Sequence, residues 1–321
     1  MQNSVTLTNK QKHKRGFSFK NINKSNFLEQ IEMQSMVWPG LIFLFIFSYI
    51  PMYGLIIAFK DYNLITGLEG APWVGFKYFK EFFTDPNLWN ITRNTFAINL
   101  LGLVVCFPAP IILAVLISEL KRPKFKKVAQ TVSYLPHFLS WVIFGGIILE
   151  ILTPSGVLNG LLTSLGIVKE PINFIAKGEY FYLIITIASL IKGVGFGSIL
   201  YVAAIAGVDQ EMYEASVIDG CNRFQKIWYI TLPAIMGTIV IMLIFQISSI
   251  LNTGFEHILL LQNGLNIPFS ETIDSYVYKV GMQQSRFSYA TAVGVFKSVV
   301  SVVLLVLANY TSKKITDKGL F

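Results

Sequence analysis

Six apolar runs, each about 20 residues long, dominate this chain and restrict what it can fold into. They cover Val37–Phe59, Phe96–Leu120, Val132–Leu152, Phe181–Gly207, Pro233–Leu251 and Ala290–Tyr310. A run of that length crosses a hydrocarbon layer as an α-helix, and inside lipid only helices or closed barrels satisfy their own backbone groups. The expected fold is all-α: a polytopic membrane protein with six transmembrane helices. Composition agrees. The 321 residues are 53% hydrophobic and 14% charged, with a mean hydropathy of +0.57, whereas soluble domains carry about 25% charged residues. A soluble globule, a disordered chain and a disulfide scaffold are excluded. The two cysteines, Cys106 and Cys221, fall in a span and in a loop, so no disulfide is expected.

The distribution of Lys and Arg sets the expected orientation. With the N-terminus inside, segments 1–36, 121–131, 208–232 and 311–321 hold sixteen basic residues. These are Lys10, Lys12, Lys14, Arg15, Lys20, Lys24, Lys121, Arg122, Lys124, Lys126, Lys127, Arg223, Lys226, Lys313, Lys314 and Lys318. The longer segments 60–95, 153–180 and 252–289 hold eight. The excess places both termini in the cytoplasm. The net charge of +8 is then largely a topology signal, and nucleic acid is not an expected partner. The expected organisation is a basic N-terminal tail over 1–36, a first helix and outer loop over 37–95, a core over 96–310, and a C-terminal tail over 311–321. No small-residue cleavage site follows the first run, which reads as a retained anchor.

Segment 208–232 lies between the fourth and fifth runs and is too polar to cross lipid, yet it carries more order than a linker needs. Asp209 is placed to cap a helix over Gln210–Asp219. Gly220 supplies the left-handed residue that ends such a helix. Asn222 and Gln225 have capping-box spacing for a second helix, on which Phe224, Ile227, Trp228 and Thr231 share a face. Pro233 then opens the fifth run, where its missing N–H costs little. The pattern describes a helix–turn–helix knob. Its residues alone also fit an interfacial hairpin on lipid headgroups.

Glu214-Ala215-Ser216, followed by Asp219-Gly220 and, at the end of the segment, Leu232-Pro233, resembles the EAA signature of ATP-binding-cassette importer permeases. Ser216 stands where that signature has its second Ala, and Cys221 where it has a small residue; both are small here too. Further stretches extend the likeness from about Val37 to the C-terminus. Tyr49–Phe59, Pro72–Gly75, Phe107–Ala114, Ser133-Tyr-Leu-Pro-His-Phe-Leu-Ser-Trp141 and Tyr289–Phe296 are similar to the LplB-type polysaccharide or oligosaccharide permeases, a maltose-permease-like branch. The resemblance implies a type I importer fold in a bacterial plasma membrane. It also implies a second homologous permease, a cytoplasmic ATPase dimer, an extracytoplasmic sugar-binding protein and an oligosaccharide as cargo. In that family the loop is the helix that couples to the ATPase, which makes Glu214, Ala215, Ser216, Asp219, Gly220, Leu232 and Pro233 the expected coupling residues.

The sequence has no Gly-x-x-x-x-Gly-Lys-Ser/Thr phosphate loop, so energy is expected from a partner and no cofactor is expected. Gly193, Gly195 and Gly197 lie inside a run and read as points of close helix approach. His13, His137 and His257 lack metal-ligand spacing. A path for a polar sugar needs polar groups facing a cavity. Lys192, Gln246, Ser249 and Asn252 are the candidates, with Ser248 beside them and Glu150 a further ionisable residue inside a run. Lys192 and Lys297 also have a simpler reading, snorkelling towards the interface. Phe76, Phe79 and Phe83 sit at helical spacing and suggest an amphipathic helix on the outer leaflet. Two other functions fit a polytopic chain: a membrane enzyme such as a lipid-linked glycosyltransferase, for which Asp209, Glu211, Glu214 and Asp219 would be the carboxylates, and a stand-alone secondary transporter.

Overall fold

A computed structural model describes residues 24–316 and 319–320. The basic residues Lys10, Lys12, Lys14, Arg15, Lys20 and Lys318 lie outside the described residues, as does His13. Among the described residues, six helices are long and apolar enough to cross a membrane: Ile31–Phe59, Leu88–Ser118, Trp141–Ser164, Gly178–Ala206, Arg223–Ser248 and Phe287–Lys314, called the first to sixth spans below. Among the described residues there is no strand, only an isolated bridge between Lys60 and Trp73.

The chain divides into two units, Met1–Leu55 and Ile56–Phe321. In the first, helix begins at Lys24, inside the segment expected to be tail, and runs on through Leu44. A wide π turn follows at Phe45–Tyr49, two residues short of Pro51. The same device recurs in the second unit. A π turn at Gly102–Cys106 precedes Pro108 in the second span, and one at Ile227–Thr231 precedes Pro233 in the fifth. Proline lacks the N–H for its own turn, and its ring collides with the carbonyl four residues back. Widening the preceding turn absorbs both defects and lets the helix continue. Pro233 therefore does not open the fifth span, as its position in the sequence suggested. It sits inside a continuous 26-residue helix that starts at Arg223.

In the second unit the fourth span is central. Near the end that carries segment 208–232, its Tyr201 and Ile205 pack with Ile111, Ala114 and Val115 of the second span and Ile235 of the fifth. Towards the far end, Phe181 and Ile185 pack with Ile98, Ile258 and Leu261. Side chains facing away from these contacts, such as Val104, Leu116, Val142 and Val302, are more than half exposed and apolar, as a lipid-facing surface requires. Gly195 and Gly197 do mark close approaches. A Cβ on Gly195 would fall 1.9 Å from the Ser133 carbonyl oxygen, and one on Gly197 would fall 3.2 Å from Pro110, while Gly193 has open space.

Two of the apolar runs meet breaks in the helix. The third apolar run was expected to form one helix over Val132–Leu152. Instead a helix over Pro123–Tyr134 ends in a tight turn at Leu135–Phe138, Leu139 is extended, and helix restarts at Trp141 with Ser140 as its cap. The fifth span stops at Ser248, and a short helix, Glu256–Leu261, resumes after Gly254 at a φ of +77°. The segment after it was expected to be an outer loop but is a set of short packed helices. Buried Asn94 organises it, donating to the carbonyls of Pro268 (3.1 Å) and Glu271 (2.9 Å) and accepting from the Tyr182 hydroxyl (2.6 Å).

The expected aromatic helix exists as Lys77–Phe83. Tyr78 and Phe82 are buried, with Phe82 against Tyr289 and Phe296 of the sixth span, while Phe76 and Phe83 stay exposed.

Candidate functional site

The loop between the fourth and fifth spans is a capped two-helix knob. The Asp209 carboxylate accepts from the Glu211 N–H at 3.0 Å and starts the helix Gln210–Ile218. Gly220, at a φ of +76°, ends it. The N–H of Gly220 donates to the Val217 carbonyl (3.1 Å) and that of Cys221 to the Ser216 carbonyl (2.9 Å), so the last carbonyls of the helix are satisfied. Asn222 and Gln225 form the full capping box, each side chain accepting from the other's N–H at 2.9 and 2.8 Å. From there the second arm continues without a break into the fifth span.

The knob has a buried side and a bare side. Ser216 is buried and donates to the Tyr213 carbonyl at 2.6 Å, and the Tyr213 hydroxyl lies 3.0 Å from the Thr231 hydroxyl, tying the first arm to the second. The expected shared face of Phe224, Ile227, Trp228 and Thr231 is split: Thr231 is buried and Ile227 half-buried, whereas Phe224 and Trp228 are exposed. The π turn at Ile227–Thr231 shifts the register between them. With Val217 and Ile218, the latter 87% exposed, these rings give both arms of the knob bare apolar side chains, alongside the exposed Glu214, Ala215 and Asp219. Apolar side chains left bare beside polar ones suit an interaction surface. Leu232 is half-buried and Pro233 exposed.

The path candidates separate. Gln246 and Ser249, with Ser248, line a groove of about 490 Å³ whose opposite wall is Cys106, Phe107, Pro110, Gly197 and Tyr201. Asn252 is exposed and does not line it. Lys192 neither lines it nor snorkels. Lys192 is buried close to the middle of its helix, and its ammonium donates to backbone carbonyls of Pro136, His137 and Leu139. Lys297 is also buried rather than snorkelling, and pairs with Asp274. Glu150 is exposed. Asp274 escaped the sequence reading because its partner is remote in the chain; the local signal available was the capping box of Thr272 and Ser275 that precedes and follows it. Among the described residues no cluster of His, Cys, Asp and Glu suits a metal ion, and Cys106 and Cys221 are free thiols.

Charged contacts fasten the far end. The Asp61 carboxylate accepts from Tyr78 (2.5 Å) and Lys77 (3.3 Å), and these bonds hold it below the usual carboxylate range. Burial, followed by the Asp61 bond, pushes the Tyr78 hydroxyl up to about 12.

Comparison with known proteins places these features. The model of the family described as binding-protein-dependent transport system inner membrane component matches residues 91–317, the second to sixth spans with the knob. Protein LplB of Bacillus subtilis (strain 168) is 46% identical over 284 residues, which covers 88% of this chain and 89% of that one. The polygalacturonan/rhamnogalacturonan transport system permease protein YteP of the same strain is 41% identical, covering 92% of this chain and 91% of that one. A chain in the crystal structure of a bacterial alginate ABC transporter, in complex with an alginate pentasaccharide-bound periplasmic protein, superposes with a TM-score of 0.82 at 36% identity, covering 92% of this chain and 99% of that one.

Proposed function

This chain belongs to the binding-protein-dependent transport system inner membrane components and is a sugar permease subunit of an ATP-binding-cassette importer, and we propose that it moves oligosaccharides, acidic ones foremost, by alternating access driven through its knob. The observation that carries this reading is the knob itself. The stretch from Glu214 to Pro233 folds as a doubly capped hairpin with bare apolar side chains, and its second arm is one helix with the fifth span. A rigid projection of this kind transmits force; a lipid-resting hairpin needs neither a capping box nor helical continuity.

In this mechanism the knob lies in the cytoplasm, as the Lys/Arg bias predicts. Its exposed Val217, Ile218, Phe224 and Trp228 seat in a separate ATPase dimer, with Glu214 and Asp219 alongside. ATP hydrolysis belongs to that partner, since this sequence carries no phosphate loop. A second, homologous permease closes the groove lined by Gln246 and Ser249. A sugar-loaded binding protein docks at the far end. Closure of the ATPase dimer moves the knob, the spans rock, and the groove changes the side on which it opens. The acidic preference rests on the names of the relatives, which specify polygalacturonan and alginate.

The test is reconstitution of the permease in proteoliposomes with a second permease, an ATPase and a sugar-binding protein. Uptake of labelled galacturonate oligosaccharides, stimulated by the binding protein and dependent on internal ATP, is expected. Uptake of neutral oligosaccharides alone would overturn the acidic assignment. Transport by this chain without ATPase or binding protein would overturn the importer mechanism.

A further inference from the structure

We propose that the buried Lys192 and the Asp274–Lys297 pair are positioning residues that pin the helix breaks before the third span and after the fifth, and that they make no contact with cargo.

A break in a helix leaves carbonyls without donors on one side and N–H groups without acceptors on the other. Both kinds of defect are present, and each is met by a charge of the matching sign. Just before the third span, the turn at Leu135–Ser140 leaves the carbonyls of His137 and Leu139 without helical partners and that of Pro136 with only the Leu139 N–H. The Lys192 ammonium of the fourth span donates to all three. An ammonium has three N–H donors, so none is left for a sugar hydroxyl or carboxylate. The rings of Trp141 and Phe144, 5.4 and 5.9 Å from the Nζ, complete its surroundings.

After the fifth span the defect is the reverse. Thr253 and Gly254 stand just before the restarted helix, and their N–H groups donate to one oxygen of Asp274 at 2.8 and 3.0 Å. The other oxygen pairs with Lys297 of the sixth span. A cation thus meets the carbonyl break and an anion the N–H break, the arrangement that backbone dipoles favour. The two breaks also touch each other. Trp141, the first residue of the restarted third span, stacks on His257 at a centroid distance of 4.8 Å. Lys192, Trp141, His257, Gly254, Asp274 and Lys297 form one connected frame across the third to sixth spans.

The inference rests on the importer reading for its transport test and is independent of it for its stability test. In the reconstituted complex, Lys192→Met should lower maximal uptake about tenfold or more, since buried carbonyls lose their donors. The half-saturating concentration of loaded binding protein should stay unchanged, and the loss should be equal for galacturonate and neutral oligosaccharides. Lys192→Arg, which keeps donors, should recover part of the rate. Unchanged uptake in Lys192→Met, or a loss confined to the acidic sugar, would overturn the proposal. For the pair, thermal melting of the purified full chain in detergent needs no transport. Lys297→Met alone leaves the partly buried Asp274 carboxylate without its cation and should lower the melting temperature. Adding Asp274→Asn, which removes the charge and keeps an acceptor oxygen, should restore much of the loss. Additive losses in the double variant would overturn the pinning role of the pair, even with uptake intact.

Discussion

Gly220 offers the sharpest test of the knob, because its conformation and its surroundings separate cleanly. Its φ of +76° lies in the left-handed region, yet a Cβ there would meet nothing within 4 Å. The cost of Gly220→Ala is therefore purely backbone, about 1–2 kcal/mol, or roughly a 5–30-fold shift against the capped shape. Asn tolerates that region better and should fall between Gly and Ala. Gly220→Pro cannot adopt the conformation at all, since its φ is held near about −65°, and it also loses the N–H bond to the Val217 carbonyl. If the ATPase seats on the capped knob, its affinity should fall in the order Gly, Asn, Ala, Pro, by up to about 30-fold for Ala, with near-complete loss for Pro. Membrane insertion should be unaffected. The assay is co-purification of the ATPase across a concentration series, together with sugar-stimulated ATP hydrolysis in proteoliposomes. Wild-type coupling in Gly220→Pro, or an order that ignores left-handed tolerance, would refute the reasoning.

Gly195→Ala should destabilise the bundle by about 1–3 kcal/mol, because its Cβ would drive into the Ser133 carbonyl, while Gly193→Ala should be near neutral in the same melts. Burial pushes the Asp85 carboxyl up, but bonds from Tyr276 (2.5 Å), Asn87 (2.8 Å) and Tyr289 (2.9 Å) more than offset this and hold it below its ordinary value. A carboxylate with a lowered folded pKa stabilises above its unfolded pKa of about 3.9 and loses that contribution as pH falls through the folded value. Asp85→Asn should therefore lower the melting temperature at pH 7 and flatten its decline below about pH 4; an unchanged acid limb would contradict the assignment. Pro233→Ala should let the π turn at Ile227–Thr231 close into regular helix, stabilising the chain by up to about 3 kcal/mol. It would also rotate the knob by about 100°, one residue of helix, so higher thermal stability with lower uptake is expected.

The knob was legible in the sequence because its determinants are local. Asp209 with Glu211, Gly220, and Asn222 with Gln225 each act within three residues, and each cap lies where the spacing put it. The six spans were legible from run length alone. Run length is blind to continuity, however. Pro136 sat inside the third run and Gly254 just past the fifth, and nothing in the hydropathy distinguished a helix with a break from one without. The charges that satisfy those breaks could not be read either. Lys192 meets carbonyls more than fifty positions away, and Asp274 meets Lys297 across 23 residues and a turn. Seen in sequence, the two lysines were equally fit to snorkel or to touch cargo. For the Lys77–Phe83 helix the period was legible, but the packing of its other face, with Phe82 against Tyr289 and Phe296 of the remote sixth span, was not.

The placement of the breaks also bears on how force entering at the knob would be spent. The second arm of the knob and the fifth span are one helix, so they move together. The first arm joins the fourth span through the short turn at Gly207–Asp209, and the bond between Tyr213 and Thr231 couples the arms. At the far end Asp61, Asp85 and the Glu81–Arg286 pair hold the outer helices to the sixth span and its neighbours. With both ends stiff, displacement is expected at Leu135–Ser140 and around Ser249–Phe255, where the Lys192 and Asp274 contacts stand in for a continuous helical ladder. Spin labels within one end should keep their separation through the ATP cycle, while labels at position 218 and at position 76 should not. A change spread evenly along the fifth span would place the compliance in helix bending and remove the breaks from the mechanism.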